Sequence, residues 1–266
     1  MLILMKKVIR FFSVFALVAM FSMSSLAITW FPQDFTCPID SQKNTFMVVG
    51  SYGSYIYSYP SKYQWLFFPQ TDSPTFYICK KCHLATYMWD FDKIPKEKLA
   101  DIKNALTGVK VSKAFKEYTD LPITERLEIM EKVYSVLGRD DEWWESFYRV
   151  KGYHYGKEGN AAKAEESRRK SLDLIKKEIK NDKGKAPKKI LFYVSGAMKH
   201  FLNDDKGALE DLQIALATKY QNKTESAEDV QGSEDGLNAR IKEYVERIKS
   251  EKEKPRLFDK YNANEH

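Results

Sequence analysis

Small residues recur at a fixed offset of 44 positions in the second half of this 266-residue chain. The matching pairs are Gly152 with Gly196, Ala164 with Ala208, and Ser171 with Ala215. A bulky side chain at the crossing of two helices would hold them apart, so small residues at matching places indicate closely packed helices. We therefore expect two consecutive helical hairpins in this half of the chain.

Helical patterns and their boundary signals continue through most of the sequence after Pro95. The predicted helices cover residues 96–106, 123–137, 142–157, 161–179, 188–202, 206–220 and 237–252. The boundary signals are Pro122 and Pro187 at helix starts, Asp140, Asn160 and Asp204 as N-caps, and Gly138 and Gly159 as C-terminal stops. The polar run 221–236 is predicted to be a loop.

The paired small residues resemble those of the tetratricopeptide repeat. That repeat usually spans about 34 residues, so the resemblance places about ten extra residues in longer helices and in the connection 181–186. It implies a short solenoid whose ends are covered by helices 123–137 and 237–252. A non-repeating helical bundle is the alternative.

Residues 28–95 differ in character from the helical part. Short aromatic and β-favouring runs alternate with Gly, Pro and Ser, which predicts short strands or extended loops at residues 46–50, 55–60, 65–69 and 75–78. So small a module usually needs a metal ion, a disulfide or a docked neighbour for stability. The predicted fold is mainly α, with tetratricopeptide-like hairpins over residues 96–253, the small β-rich module at 28–95, and a polar tail at 254–266.

The three cysteines lie in the β-rich module. Cys79 and Cys82 form a Cys-x-x-Cys turn, and Cys37 precedes Asp40 at the same spacing. Two such turns supply the four ligands of a zinc ribbon, and a carboxylate oxygen can replace one thiolate. The sequence therefore predicts a structural zinc site at Cys37, Asp40, Cys79 and Cys82, with His83 as an alternative fourth ligand.

A disulfide between Cys79 and Cys82, with Cys37 left free, is the rival interpretation of these thiols, and unpaired thiols without a metal are the third. The disulfide leads to an alternative function, a thiol-redox or metal-dependent protein that uses Cys79 and Cys82 chemically. Thioredoxin-type chemistry needs its Cys-x-x-Cys at a helix start in a βαβ pattern, which the sequence around Cys79 lacks.

The two parts together resemble an uncharacterised bacterial family, domain of unknown function 2225. The shared features are Cys37-Pro38-Ile39-Asp40, then an aromatic stretch, then Cys79-Lys80-Lys81-Cys82-His83, then the paired helices. The resemblance spans residues 35 to about 252, with Asp40 in place of a cysteine and His83 in place of a glycine. It implies a zinc-ribbon-like module joined to tetratricopeptide-like helices, and it supplies no activity.

The start of the chain has the pattern of a secretory signal. Lys6, Lys7 and Arg10 precede an apolar run at 11–23, and Ala27 ends a short stretch of small residues. The run is short for a membrane span, which takes about 20 apolar residues. We expect residues 1–27 to be removed and the protein to be periplasmic or extracellular. The alternative is that the signal stays uncleaved, and only in that case do we expect the protein to contact a membrane.

The sequence contains no recognised catalytic motif, and this favours a non-enzymatic protein. Its formal net charge of +6 is spread over helices of mixed charge, which argues against a nucleic-acid-binding face. A protein or peptide partner is the remaining expectation. Core packing is the usual explanation for Trp143, Tyr148, Tyr155 and His200, and a partner-binding groove that includes them is the functional hypothesis. The predicted function is protein binding or scaffolding.

Overall fold

The computed structural model describes residues 29–52, 61–181, 186–222 and 226–250. The predicted signal peptide 1–27, the predicted strand or extended loop 55–60 and the polar tail 254–266 lie outside the described residues. In the part of the chain that is described, no helix combines the length and apolar character needed to cross a bilayer.

Two β-hairpins form the N-terminal part of the protein. Their strands are β1 (Thr29–Thr36), β2 (Lys43–Ser51), β3 (Phe76–Ile78) and β4 (Ala85–Tyr87). β1 pairs antiparallel with β2, and β3 with β4, as two separate two-stranded sheets. The residue pairs nearest the turns are Thr36 with Lys43 in the first hairpin and Ile78 with Ala85 in the second. Each predicted cysteine turn is therefore the turn of a hairpin.

Residues 65–69, predicted to be a short strand or an extended loop, do not form a strand. A short 3-10 helix occupies Lys62–Gln64, and Trp65 follows with a left-handed backbone conformation, φ 55°. The N–H of Gln70 then donates to the carbonyl of Phe67 at 2.9 Å, which closes a turn. Left-handed and turn conformations interrupt the extended backbone that a strand requires.

Seven α-helices occupy the rest of the described chain. They are α1 (Leu99–Ala105), α2 (Ile123–Leu137), α3 (Asp141–Lys157), α4 (Ala161–Ile179), α5 (Lys188–Phe201), α6 (Asp205–Ala217) and α7 (Ala227–Ser250). The fold is therefore mainly helical with a small N-terminal β part, as predicted. The bounds of α2 and α4 agree with the sequence prediction.

Helix α7 contradicts the prediction of a loop over residues 221–236. The hydroxyl of Ser226 accepts from the N–H of Asp229 at 3.2 Å and donates to its carboxylate at 2.6 Å. This reciprocal cap starts a helix, and acidic residues in its first turn complement the helix dipole. The capped start thus outweighs the helix-weakening effect of Gly232 and Gly236.

The predicted N-caps were correct. The side chains of Asp140, Asn160 and Asp204 each accept a hydrogen bond from the backbone N–H three residues later. Gly138 ends α2 with a φ of 72°, a conformation that glycine adopts without a steric penalty.

Helices α3 and α4 pack closely, and α5 and α6 pack in the same way. A β-carbon added at Gly152 would lie 3.4 Å from the carbonyl oxygen of Ala164, and one at Gly196 would lie 3.0 Å from that of Ala208. The backbones therefore approach each other at the small residues in both pairs. The likeness of these pairs to the tetratricopeptide repeat stays a prediction.

The hairpins share a hydrophobic core with the first helices. This core runs from Cys37 to Tyr153 and includes side chains of both hairpins, α2 and α3. The buried guanidinium of Arg126 on α2 donates to the carbonyls of Ser73 and Phe76 at 2.8 and 2.6 Å. Helix α2 thus holds the second hairpin in place. A second core lies among the later helices.

Candidate metal centre

The two hairpin turns have the same hydrogen-bond pattern. The N–H of Cys37 donates to the carbonyl of Gln42, and the N–H of Cys79 donates to that of Leu84, both at 2.9 Å. In each turn a cysteine therefore bonds to the residue five positions later. The pattern is local, and the sequence spacing predicted the two turns in which it occurs.

Both turns reverse direction through a residue with positive φ. Ser41 has a φ of 59° and His83 a φ of 60°. Their N–H groups donate to the carbonyls of Cys37 and Cys79 at 3.0 and 3.2 Å. Two non-glycine residues in this sparsely populated region are held there by the turn hydrogen bonds.

The turns bring four potential ligands together. Ligand atoms of Cys37, Asp40, Cys79 and Cys82 all lie within 4.8 Å of one another. The Sγ atoms of Cys37 and Cys82 are 3.5 Å apart, and Cys79 Sγ is 3.7 Å from both carboxylate oxygens of Asp40. All three cysteines are free. His83, the alternative fourth ligand, is not part of this group.

The cluster is placed at the inner side of the hairpins. Cys37 and Cys79 are 1% and 0% exposed, and both belong to the first hydrophobic core. Cys82 and Asp40 are half-buried. The cluster thus lies where the hairpins meet the core.

The thiols influence one another strongly. Hydrogen bonds from Cys37 and Cys82 lower the pKa of Cys79, and backbone N–H groups of its own turn act in the same direction. The hydrogen bond to Cys79 raises the pKa of Cys37, and the hydrogen bond with Cys37 raises that of Cys82. One thiolate is thus stabilised by two thiols. A bound cation would remove this competition, because a coordinating thiol loses its proton.

Asn44 supports the cluster and was missed by sequence reasoning. Its side chain is 1% exposed, and its amide donates to Cys79 Sγ at 3.6 Å. Its side-chain oxygen accepts from the N–H of Lys80 at 3.0 Å, so Asn44 ties the first hairpin to the second turn. Asparagine is uncommon inside strands, and its position in β2 was the signal that could have pointed to it.

A second local bond orients Asp40. The N–H of Gln42 donates to Asp40 Oδ1 at 3.0 Å. A carboxylate held by a backbone donor is fixed in direction, as metal ligands generally are.

The donor set and its dimensions fit zinc. A tetrahedron with zinc–sulfur bonds of about 2.3 Å has edges of about 3.8 Å, close to the 3.5 and 3.7 Å separations of the cluster. Three sulfurs and one oxygen suit a borderline-soft ion, whereas calcium and magnesium prefer oxygen ligands alone. The four residues can hold a metal ion without large rearrangement.

The residues assigned to a partner-binding groove contribute to packing. Tyr155 and His200 are 4% and 3% exposed, and Trp143 and Tyr148 are half-buried against the first core. The Tyr148 hydroxyl donates to Glu131 at 3.1 Å, and His200 Nδ1 lies 2.7 Å from a carboxylate oxygen of Asp205. Their side chains already have intramolecular partners.

A groove is present elsewhere on the helices. It has a volume of about 340 Å³ and lies between the start of α3, the end of α4 and the start of α5. None of the four residues predicted to bind a partner lines it. Trp65, from the segment between the hairpins, forms part of its wall.

Comparison of the chain with family models, curated proteins and solved structures finds no significant match. The resemblance to the bacterial family of unknown function stays a prediction.

Proposed function

We propose that the protein is an exported scaffold that binds a protein or peptide through its helices and is stabilised by one structural zinc ion. The observation that carries this proposal is the convergence of Cys37, Asp40, Cys79 and Cys82 from two matching turns. The resemblance to tetratricopeptide-like helices supports the proposed protein binding. The secretory pattern at residues 1–27 supports the proposed export.

A structural role for the ion follows from the number and burial of its ligands. Four protein ligands complete a tetrahedron, and a catalytic zinc site usually keeps one position open for water. Cys37 and Cys79 are almost fully buried, so substrate has little access to the sulfur side of the cluster. A zinc ion held here would link two hairpins rather than activate a water molecule.

A zinc ion would add to the packing that already holds the hairpins against the helices. Each hairpin is a two-stranded sheet, and an isolated hairpin of this kind is marginally stable in water. A shared ion ties the β1–β2 turn to the β3–β4 turn, and the binding free energy of structural zinc then contributes to folding.

Metal and thiol analysis of the exported full-length protein tests the proposal. Bacterial cells that express the whole chain would be fractionated, and the product would be assayed for zinc, free thiols and its N-terminal residue. We expect about one zinc per chain, three thiols that react only after chelation and unfolding, and a chain that begins after Ala27.

Cys82→Ser and Lys81→Ser provide a matched pair of variants for this test. Lys81 lies in the same turn but is exposed and outside the ligand group, so its replacement should keep the zinc that Cys82→Ser loses. A metal-free product with a Cys79–Cys82 disulfide would overturn the zinc proposal and favour the thiol-redox alternative. Retention of the protein in the cytosol would overturn export.

A further inference from the structure

The groove between α3, α4 and α5 has an apolar floor and an acidic rim. The floor is formed by Trp65, Leu174, Ile175, Ile190, Leu191 and Val194. Four carboxylates line the groove, at Asp141, Glu142, Glu145 and Glu178, and Arg149 is the lining residue of opposite charge. The described lining of the groove is therefore apolar and predominantly negative.

Arg149 does not neutralise the negative charge that a ligand in the groove would meet. Its guanidinium donates to both carboxylate oxygens of Glu145, at 2.9 and 3.0 Å, and to the backbone carbonyls of Gln64 and Trp65. Arg149 is buried, with a side chain 8% exposed. Its donors are thus used inside the protein, and among the described lining residues no other cation faces an anionic ligand.

The remaining carboxylates are available to a ligand. Asp141 pairs with Lys177, but both side chains are more than half exposed, and such pairs contribute little. In the described part of the chain, neither Glu142 nor Glu178 takes part in an ion pair, and Glu178 Oε2 accepts a long hydrogen bond, 3.4 Å, from the exposed side chain of Asn181. Two carboxylates at the rim therefore lack a positive partner.

We propose that this groove binds a segment of a partner protein that presents lysine or arginine next to an aliphatic side chain. This inference rests on the proposed protein-binding function and names the class of its partner. The aliphatic side chain would contact Ile190 and Leu174, and the cation would reach Glu142 and Glu178 at the rim.

The size of the groove limits how many side chains of the partner segment it can hold. About 340 Å³ is near the lower limit of ligand sites, which are commonly about 300–1,000 Å³. Long basic side chains lay their methylene stems on apolar surface and keep their charge near water. The groove thus accommodates an anchor of a few side chains, with the rest of the segment on the adjoining helices.

Short synthetic peptides of serine and glycine provide the probes for a test with the full-length protein. One probe carries Lys-Leu pairs, a second carries Glu-Leu pairs and a third carries Lys-Ser pairs. Each has a fluorescent label for anisotropy and a photo-crosslinker for mapping by mass spectrometry. We expect the Lys-Leu probe to bind at least about tenfold more tightly than the other two and to crosslink to α3 and α5.

Charge-neutralising variants locate the interaction. Glu142→Gln with Glu178→Gln should weaken Lys-Leu binding by about tenfold. The control is Glu210→Gln with Glu228→Gln, which changes the charge equally at exposed residues outside the groove and should bind like the wild type. Circular dichroism checks that both double variants are folded.

The outcomes separate the two proposals. Tight binding of the Glu-Leu probe in the groove would overturn the basic partner class and leave protein binding in place. Crosslinks of the Lys-Leu probe on other helices, with equal affinity for both double variants, would overturn the groove. Failure of every probe to bind would overturn this inference, and it would count against the protein-binding function only if the zinc-loaded protein is folded.

Discussion

Asp40 and Cys82 occupy equivalent places in the two hairpin turns. Each follows a cysteine by three residues and precedes a residue with positive φ, 59° at Ser41 and 60° at His83. Both contribute a ligand atom to the group at the centre of the module. The cluster thus offers four potential ligands, and one oxygen stands where the likeness of the two turns would place a sulfur.

This equivalence predicts that Asp40→Cys will bind zinc more tightly than the wild type. The new thiolate would take the position that Cys82 has in the other turn, and a softer ligand suits the sulfur-rich site. We expect at least about a tenfold increase in zinc affinity, measured by competition with a chromophoric chelator. Asp40→Ala, which removes the ligand, should have the opposite effect. Equal affinity in all three proteins would exclude residue 40 as a ligand.

Asn44→Ala should weaken metal binding although Asn44 is not a ligand. The substitution removes the amide donor to Cys79 Sγ and the acceptor of the Lys80 N–H. Loss of such a supporting bond typically costs about 10–100-fold in metal affinity. The Lys80 N–H and Cys79 Sγ would also lose their hydrogen-bond partner, which destabilises the fold by about 1–3 kcal/mol. Chelator competition and urea unfolding would measure the two effects.

Thr45→Ala is the matched control for Asn44→Ala. Thr45 is the next residue of β2, is exposed, and bonds to Asp34 rather than to the cluster. Its replacement should leave zinc affinity unchanged. If both variants lose zinc equally, the contribution of Asn44 would be a general effect on the strand.

His154 should make the protein less stable in mild acid. It is fully buried, its Nε2 lies 2.8 Å from the carbonyl oxygen of Gln70, and burial lowers its pKa to about 3. In the unfolded chain the pKa is about 6.5. The folded state therefore prefers the neutral ring, and stability is lost as pH falls below about 6.5, by about 2 kcal/mol at pH 5.

His154→Gln tests this linkage. Glutamine keeps a donor for Gln70 but does not titrate, so the variant should lose about 2 kcal/mol less stability than the wild type between pH 8 and pH 5. Acid also protonates the cysteine cluster, but it does so in both proteins. Urea unfolding at each pH gives the difference, and parallel pH profiles would show that His154 titrates normally in the folded state.

The sequence predicted those features that depend on neighbouring residues. The caps at Asp140, Asn160 and Asp204 and the two cysteine turns were predicted because each forms within a few residues of the chain. Asn44 was missed because its role depends on a contact with Cys79, 35 positions away. The aromatic run after Lys62 has strand-like composition, but packing against the helices holds it in turns.

The partner-binding prediction shows the same limit for side chains. Helical spacing placed Tyr148 and Tyr155 near one face, but spacing alone does not say whether that face meets solvent or another helix. In the structure, their hydroxyls donate to Glu131 and Glu128 on the neighbouring helix α2. Trp65, which lines the groove between α3, α4 and α5, was also missed, because its distance in sequence from α3 and α5 gave no indication of their contact.

Two glycine substitutions should have opposite effects on stability, because one glycine lies at a helix crossing and the other lies away from any neighbour. A β-carbon at Gly196 would lie 2.9 Å from Leu212 Cγ and 3.0 Å from the carbonyl oxygen of Ala208, so the helices would have to move apart. Gly196→Ala should therefore destabilise the protein by about 1–3 kcal/mol despite the better helix propensity of alanine. Gly232 in α7 has no atom within 4 Å of the added carbon, so Gly232→Ala should stabilise the protein by up to about 1 kcal/mol. Urea unfolding of both variants measures the contrast, and a Gly196→Ala protein as stable as the wild type would refute a close crossing of α5 and α6.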